Sequence, residues 1–364
     1  MGIFRIFGWS FGVTAAVLIG AYLIGGAEVL AIVAILSILE ISLSFDNAVV
    51  NATVLQRMSE WWQKIFLTIG VLIAVFGMRL LFPLLIVAVT AGLSPSEVFQ
   101  LAINEPDVYA AELTSAHPAI AAFGGMFLGM IFLDFIFESR EFTWLSWIEK
   151  PLAKIGKVEA LSTIIALIGL VLAAEKLVPE EAQTILVAGV LGLITYLAVN
   201  GLAGFFEIEA DPDDEEVAGI SGPASAAQGA LATGKAAFFL FMYLEVLDAS
   251  FSFDGVIGAF AITSNIFVIA AGLGVGAMYI RSLTVFLVRK GTLEDYVYLE
   301  HGAHYAIGAL AVLLFFSVRY EIPEIVTGLI GIGFIALAFL SSVLRNRRHP
   351  QVEETAEDAV ASTS

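Results

Sequence analysis

Cysteine is absent from this chain of 364 residues. That excludes disulfides, thiolate metal sites and thiol redox centres. Charge is scarce as well: Asp, Glu, Lys and Arg make up 14% of the residues, against roughly 25% in an average soluble domain. Histidine occurs four times, and no pair of histidines has the spacing of a metal-binding helix. No cluster of lysines and arginines resembles a nucleic-acid patch, so no nucleic-acid partner is expected. The glycines of "GLGVGAM" (272–278) sit inside an apolar run, where close helix packing is the expected role rather than a nucleotide loop. With no nucleophile–base pair and no cofactor loop at suitable depth, neither an enzyme nor a tightly bound cofactor is expected.

What the chain has in excess is apolar length. Hydrophobic residues make up 59% of it and the mean hydropathy is +0.92. Several runs exceed the roughly 20 residues that span a bilayer, which predicts an all-α polytopic bundle. Hydropathy puts about ten spans near 8–26, 28–56, 64–91, 118–138, 159–176, 183–206, 234–263, 265–288, 299–318 and 323–344. The first is expected to be a retained transmembrane helix rather than a signal peptide. Between the fourth and fifth, Trp144, Trp147, Lys150, Lys154 and Lys157 suit a helix at 139–158 lying in the membrane interface. The organisation is then a five-span half with the start of the sixth span (1–204), an acidic cytoplasmic loop (205–233), a second half (234–345) and a disordered acidic tail (346–364). The net charge of −18 is concentrated in 205–218, in the tail and in 96–113, read as solvated loops. With both termini inside, thirteen of the 17 basic residues fall in inner segments, only Lys176 and Arg319 in outer ones, and Arg79 and Arg281 within spans. That bias predicts a multi-pass protein of the cytoplasmic (inner) membrane of a bacterium, with N- and C-termini inside and the lipid bilayer as its constant partner.

Two polar stretches interrupt the apolar pattern: "LEISLSFDNAVVNA" (39–52) and "LEVLDASFSFDGVIGAFA" (244–261). Aligning Ser42–Asp46 with Ser250–Asp254 fixes an offset of 208 and pairs Glu40 with Asp248. Each copy is followed by an arginine in the next span, Arg79 and Arg281. Five spans per copy is an odd number, so the second copy would enter the membrane upside down. That is the inverted-repeat plan of many secondary transporters, whose sites lie near the midplane on broken or polar helices, here 40–47 and 248–254.

An ionised side chain at a span centre costs about 2.5–3.5 kcal/mol on insertion scales, so these acids require compensation. Helical spacing puts Glu40, Ser44, Asn47 and Asn51 on one face, with Asp46 on a neighbouring stripe; Glu245, Asp248 and Ser252 share a face in the second copy, with Asp254 beside it. The serines can serve as hydrogen-bonding glue between helices. Two arginines can offset two acids, but not Glu40, Asp46, Glu245, Asp248 and Asp254 together. Protons, bound cations or elevated pKa values must supply the balance. Carboxylate, amide and hydroxyl oxygens are hard donors suited to Mn²⁺, Mg²⁺ or Ca²⁺. Asp134, on the cytoplasmic side of the fourth span, is a further candidate for the pathway or for proton coupling, with Ser44, Asn51, Arg79, Glu245, Ser252 and Arg281.

The paired motifs "EISLSFDNAVVNA" and "LDASFSFDGVIGAFAIT", with "HPAIAAFGGMFLGMIFLDF" (117–135), resemble the TerC-like (tellurium-resistance protein C) integral membrane family, and most closely a bacterial branch known only as a domain of unknown function. The resemblance spans roughly residues 28–345. It implies a role in metal-ion homeostasis, with manganese export as the activity of some members. It also implies that Asp46 and Asn47 form the first motif's acid–amide pair and that Asp248 and Asp254 are the second motif's acids. One position departs: Gly255 stands where such relatives commonly carry serine or asparagine. The expected function is transport of a hard divalent cation as cargo, Mn²⁺ first with Ca²⁺ or Mg²⁺ as alternatives, outward and by proton or sodium exchange. The ligands would be Glu40, Asp46, Asn47, Asp248 and Asp254. The competing expectation is a membrane scaffold or stress-response protein whose acids are structural.

Overall fold

A bilayer interior offers the backbone no water, so each apolar run must satisfy its amides and carbonyls internally, and the helix does this. The computed structural model describes residues 3–140, 142–158, 160–210, 231–260, 262–320 and 322–348. Among them the chain is helical almost throughout and no strand forms. In order, α1 is Ile3–Leu43, α2 Phe45–Leu55 and α3 Glu60–Ile65. Two π-helical stretches, Phe66–Gly70 and Ile73–Leu81, lead into α4 (Phe82–Ala91). Then come α5 (Pro95–Asn104), α6 (Pro106–Ser115), α7 (His117–Phe137), α8 (Ser146–Ile155), α9 (Leu161–Lys176) and α10 (Ala182–Ala210). The remainder is α11 (Gly234–Phe260), α12 (Ile266–Arg289), α13 (Thr292–Asp295), α14 (Leu299–Ser317) and α15 (Glu324–Arg348).

Eight described helices are long and apolar enough to cross a membrane, and two local features account for the difference from ten. The first two expected spans share α1, which runs 41 residues across a break at Gly26 (φ 69°, ψ −158°), a conformation that glycine reaches readily. The remainder of the second span restarts as α2 after Ser44 (φ −99°, ψ 17°). α9 has 16 residues, and at 1.5 Å each that is about 24 Å, less than the hydrocarbon thickness of about 30 Å.

The acidic stretch 96–113, expected as loop, is helical in α5 and α6. Pro95 and Pro106 start these helices, and Ser94 and Glu97 form a reciprocal capping box. The acidic segment 205–233 and the tail 346–364 fall largely outside the described residues; α10 continues as far as Ala210 and α15 as far as Arg348.

Large apolar side chains on the outer helices face outward, among them Trp9, Leu23, Ile24, Val89 and Leu329. Inside lie two apolar cores. One is built from α2, α7, α9, α10, the first half of α11 and α14. The other joins α1, α4, α5, α6, the second half of α11 and α12. α11 passes through both, so its polar stretch at Glu245–Ser252 lies where the cores meet. Both α2 and the Ile73–Leu81 segment pack against α11.

Candidate functional site

The two motifs are built differently. The first is broken: α1 ends at Leu43 and α2 begins at Phe45, and the Ser44 amide still reaches the Glu40 carbonyl at 3.0 Å. The second lies on an unbroken α11. In both copies the acids point inward: Glu40, Asp46, Asn47, Asn51, Glu245, Asp248 and Ser252 are all buried, whereas Ser44 is half-buried. Asp254 lies on α11, and its side chain is outside the described residues.

The arginines of the following spans join these groups into one network. Arg281 donates to both carboxylate oxygens of Glu245, at 2.9 and 3.0 Å, and from Nη2 to Asp248 Oδ2 at 3.4 Å. Its guanidinium lies 4.3 Å from the centre of the Phe66 ring, a cation–π contact in a dry setting. Arg79 donates to Glu40 Oε1 through Nη2 and to the Ala74 carbonyl through Nη1 at 2.7 Å; Nη1 is also 4.0 Å from Asp248 Oδ2. Asp248 thus stands between both arginines, and its Oδ1 accepts from Asn47 Nδ2 at 3.1 Å. Among the described residues Asp46 makes no ion pair, and its Oδ1 accepts the Asn47 amide at 2.9 Å. Among the described residues the Asn47 side-chain oxygen and both polar atoms of the fully buried Asn51 have no hydrogen-bonding partner.

Glycines make the approach of these charged groups sterically feasible. A Cβ on Gly276 of α12 would occupy the space of the Glu40 stem, and one on Gly331 of α15 would overlap the Asp46 carboxylate. A Cβ on Gly70 would strike the Arg281–Glu245 pair, and one on Gly255 would lie 3.3 Å from Glu40 Oε2. The expected helix-packing role of "GLGVGAM" is realised here: Gly272 packs on Leu36 and Gly276 on Glu40, both residues of α1.

A cavity of about 620 Å³ reaches this network. Glu40, Ser44, Asp46, Asn47 and Gly255 line it, as do Thr114, His117, Tyr320 and Pro323 of the α6–α7 and α14–α15 junctions. The structure therefore brings Glu40, Asp46 and Asn47 together on one cavity wall and ties Asp248 to them through Asn47 and Arg79. Among the described residues no group of three or more His, Asp or Glu is arranged to hold a metal ion by itself. The arginines, named from sequence as pathway candidates, are the immediate partners of three of the acids. Sequence reasoning missed Gly331 and Gly70 as cradles, although "GLIGIG" in α15 carries the small-residue spacing of close helix approach.

Asp134 lies apart from the network and ties α7 to α10 by accepting from the Tyr196 hydroxyl at 2.6 Å. A third polar group sits beyond it. Arg140 bridges Glu138 at 2.7 Å and Glu300 at 3.2 Å. Glu149 of α8 accepts from the Trp144 and Leu145 amides at 3.1 and 2.9 Å and from the Tyr305 hydroxyl at 3.2 Å, with His301 Nε2 at 3.5 Å. Trp147 on the same helix is exposed.

Fold and site define a polytopic helical membrane protein whose two acidic motifs meet through a buried arginine–carboxylate network beside a cavity. The chain belongs to the family described as protein of unknown function DUF475, which matches residues 45–349 and so includes α2, α11 and both arginines. No curated protein and no solved structure matches it.

Proposed function

We propose that this protein transports a hard divalent cation across the cytoplasmic membrane, Mn²⁺ first, with Ca²⁺ and Mg²⁺ as the alternatives that the same donors admit. The observation that carries this is the cavity lined by Glu40, Asp46, Asn47 and Ser44 among others. These four side chains offer hard oxygen donors, and the cavity has room for an ion that keeps part of its water, as Mg²⁺ characteristically does. Charge supports the same reading. Glu40, Asp46, Glu245 and Asp248 are four buried carboxylates facing two buried guanidiniums. The two uncompensated charges equal those of one divalent ion or two protons. Asp254 adds another acid to the second motif, and the motif resemblance to TerC-like proteins points to the same class of cargo.

Ten crossings arranged as two inverted halves give this site a mechanism. α2 packs on α12 and α14, as α11 packs on the Ile73–Leu81 segment and α7, the exchange of partners expected between copies related by a pseudo-two-fold axis. With the termini inside, His117, Tyr320 and Pro323 lie on the outer side, so the cavity corresponds to an outward-facing state. Moving a divalent ion outward against 100 mV costs about 4.6 kcal/mol, and exchange for protons or sodium offsets it. Cells expressing the protein should hold less manganese than cells without it, and cells expressing Asp46→Asn should not. An unchanged content of Mn, Mg, Ca, Fe and Zn would sink the reading.

One observation favours a second reading, a scaffold with structural acids: Glu40, Glu245 and Asp248 are each engaged by arginine. On that reading Asp46→Asn would lower expression or assembly and leave cellular metals as they were.

A further inference from the structure

The two arginines are held in unlike ways, and the difference has a consequence for transport. Arg281 is fixed: both of its Nη atoms engage both oxygens of Glu245, one of them reaches Asp248, its face lies on Phe66, and 1% of the side chain is exposed. A planar fork matched to a carboxylate at two points has little freedom to leave. Arg79 touches one carboxylate oxygen, that of Glu40, and its other terminal nitrogen bonds the carbonyl of Ala74 in its own helical segment. Asp248 waits 4.0 Å away. Arg79 can therefore surrender Glu40 and gain Asp248 by a small movement.

The backbone beneath it suits such a movement. Arg79 lies in the π-helical stretch Ile73–Leu81, a rare form that is concentrated at functional sites. Tightening one such turn to α geometry rotates the side chains it carries. Glu40, the group Arg79 would release, is the one that faces the cavity, with the side-chain-free Gly255 next to its Oε2.

We propose, resting on the cation-transport reading above, that Arg79 is a built-in counter-cation. It occupies Glu40 when no ion is bound, and it is displaced toward Asp248 when the ion arrives from the cavity. Its return to Glu40 helps to expel the cargo. A ligand shifts such an equilibrium only by its preference for one arrangement, and here that preference is the exchange of one cation for another at Glu40.

The test is equilibrium binding of radioactive Mn²⁺ to the full-length protein in detergent, with initial flux in proteoliposomes. Arg79→Gln removes the competitor, so Mn²⁺ should bind at least about tenfold more tightly while flux falls. Millimolar guanidinium should return the binding toward wild type. Wild-type binding that Arg79→Gln leaves equal or weakens overturns the counter-cation. No Mn²⁺ binding by the wild type overturns the transport reading and the inference with it. Should Arg79→Gln fail to fold, a structure of the wild type bound to Mn²⁺ decides the matter. Arg79 off Glu40 with the Arg281–Glu245 pair intact supports the proposal, and Arg79 still on Glu40 contradicts it.

Discussion

Asp46 and Arg281 mark the two extremes of the buried charge. Asp46 faces the cavity, accepts one backbone amide and has the bare Gly331 against its carboxylate. Asp46→Asn keeps the shape and breaks no ion pair, so the protein should purify with unchanged melting temperature while Mn²⁺ binding is lost. Arg281 compensates two acids at once. Arg281→Gln leaves Glu245 and Asp248 short of a partner in a dry interior, and removing one member of a buried pair typically costs about 3–5 kcal/mol. Thermal unfolding in detergent should show a large drop in melting temperature; an unchanged value would mean that the network is not compensating charge. The acids and arginines were legible in the sequence because each stands alone in an apolar run. Their pairing was not, because spacing along a helix fixes only a face. Which faces meet depends on the packing between helices. Asp248, expected as a ligand, emerges as the bridge between two guanidiniums for that reason.

At the scale of elements, glycines decide how closely helices approach. α12 passes α1 with Gly276 against the Glu40 stem. Gly276→Val would force the helices apart, with an overpacking cost of about 1–3 kcal/mol, and would shift Glu40 away from Arg79. Lower stability together with weaker Mn²⁺ binding is the expected result, and a variant that matches wild type in both would refute this contact.

α8 gives a pH prediction. Burial pushes the Glu149 carboxyl up, but hydrogen bonds and charge from His301, with the Leu145 amide and the Tyr305 hydroxyl, hold it below its ordinary 4.5. A depressed carboxyl stabilises the folded state fully above the ordinary value and loses that contribution as pH falls through the lowered one. Trp144, whose amide Glu149 caps, should report detachment of α8 only below about pH 4.5, and Glu149→Gln should abolish the step. A transition well above that pH, or one that survives Glu149→Gln, would contradict this assignment. The break at Gly26 escaped hydropathy because a window average does not register one residue's φ and ψ, whereas the break at Ser44 falls within the stretch 40–47 expected as broken or polar. The helices at 95–104 and 106–115 escaped because their acidic residues outweighed the Ser-Pro-x-Glu start at Ser94–Glu97.

At the scale of the whole molecule, composition alone established the membrane class, since 59% apolar residues leave no soluble packing that could hide them. The number of crossings was less legible: α1 merges two expected segments and α9 is short, so length and hydropathy give eight. α11 traverses both apolar cores, and the buried charges lie where the cores join, so movement of one core relative to the other must pass through the network. The most direct test is Mn²⁺ flux into proteoliposomes holding a proton gradient, comparing wild type with Asp46→Asn. Wild-type protein should accumulate Mn²⁺ and dissipate the gradient in step, and Asp46→Asn should do neither. Equal Mn²⁺ flux through both proteins, or none through either, would contradict a cation site at Asp46.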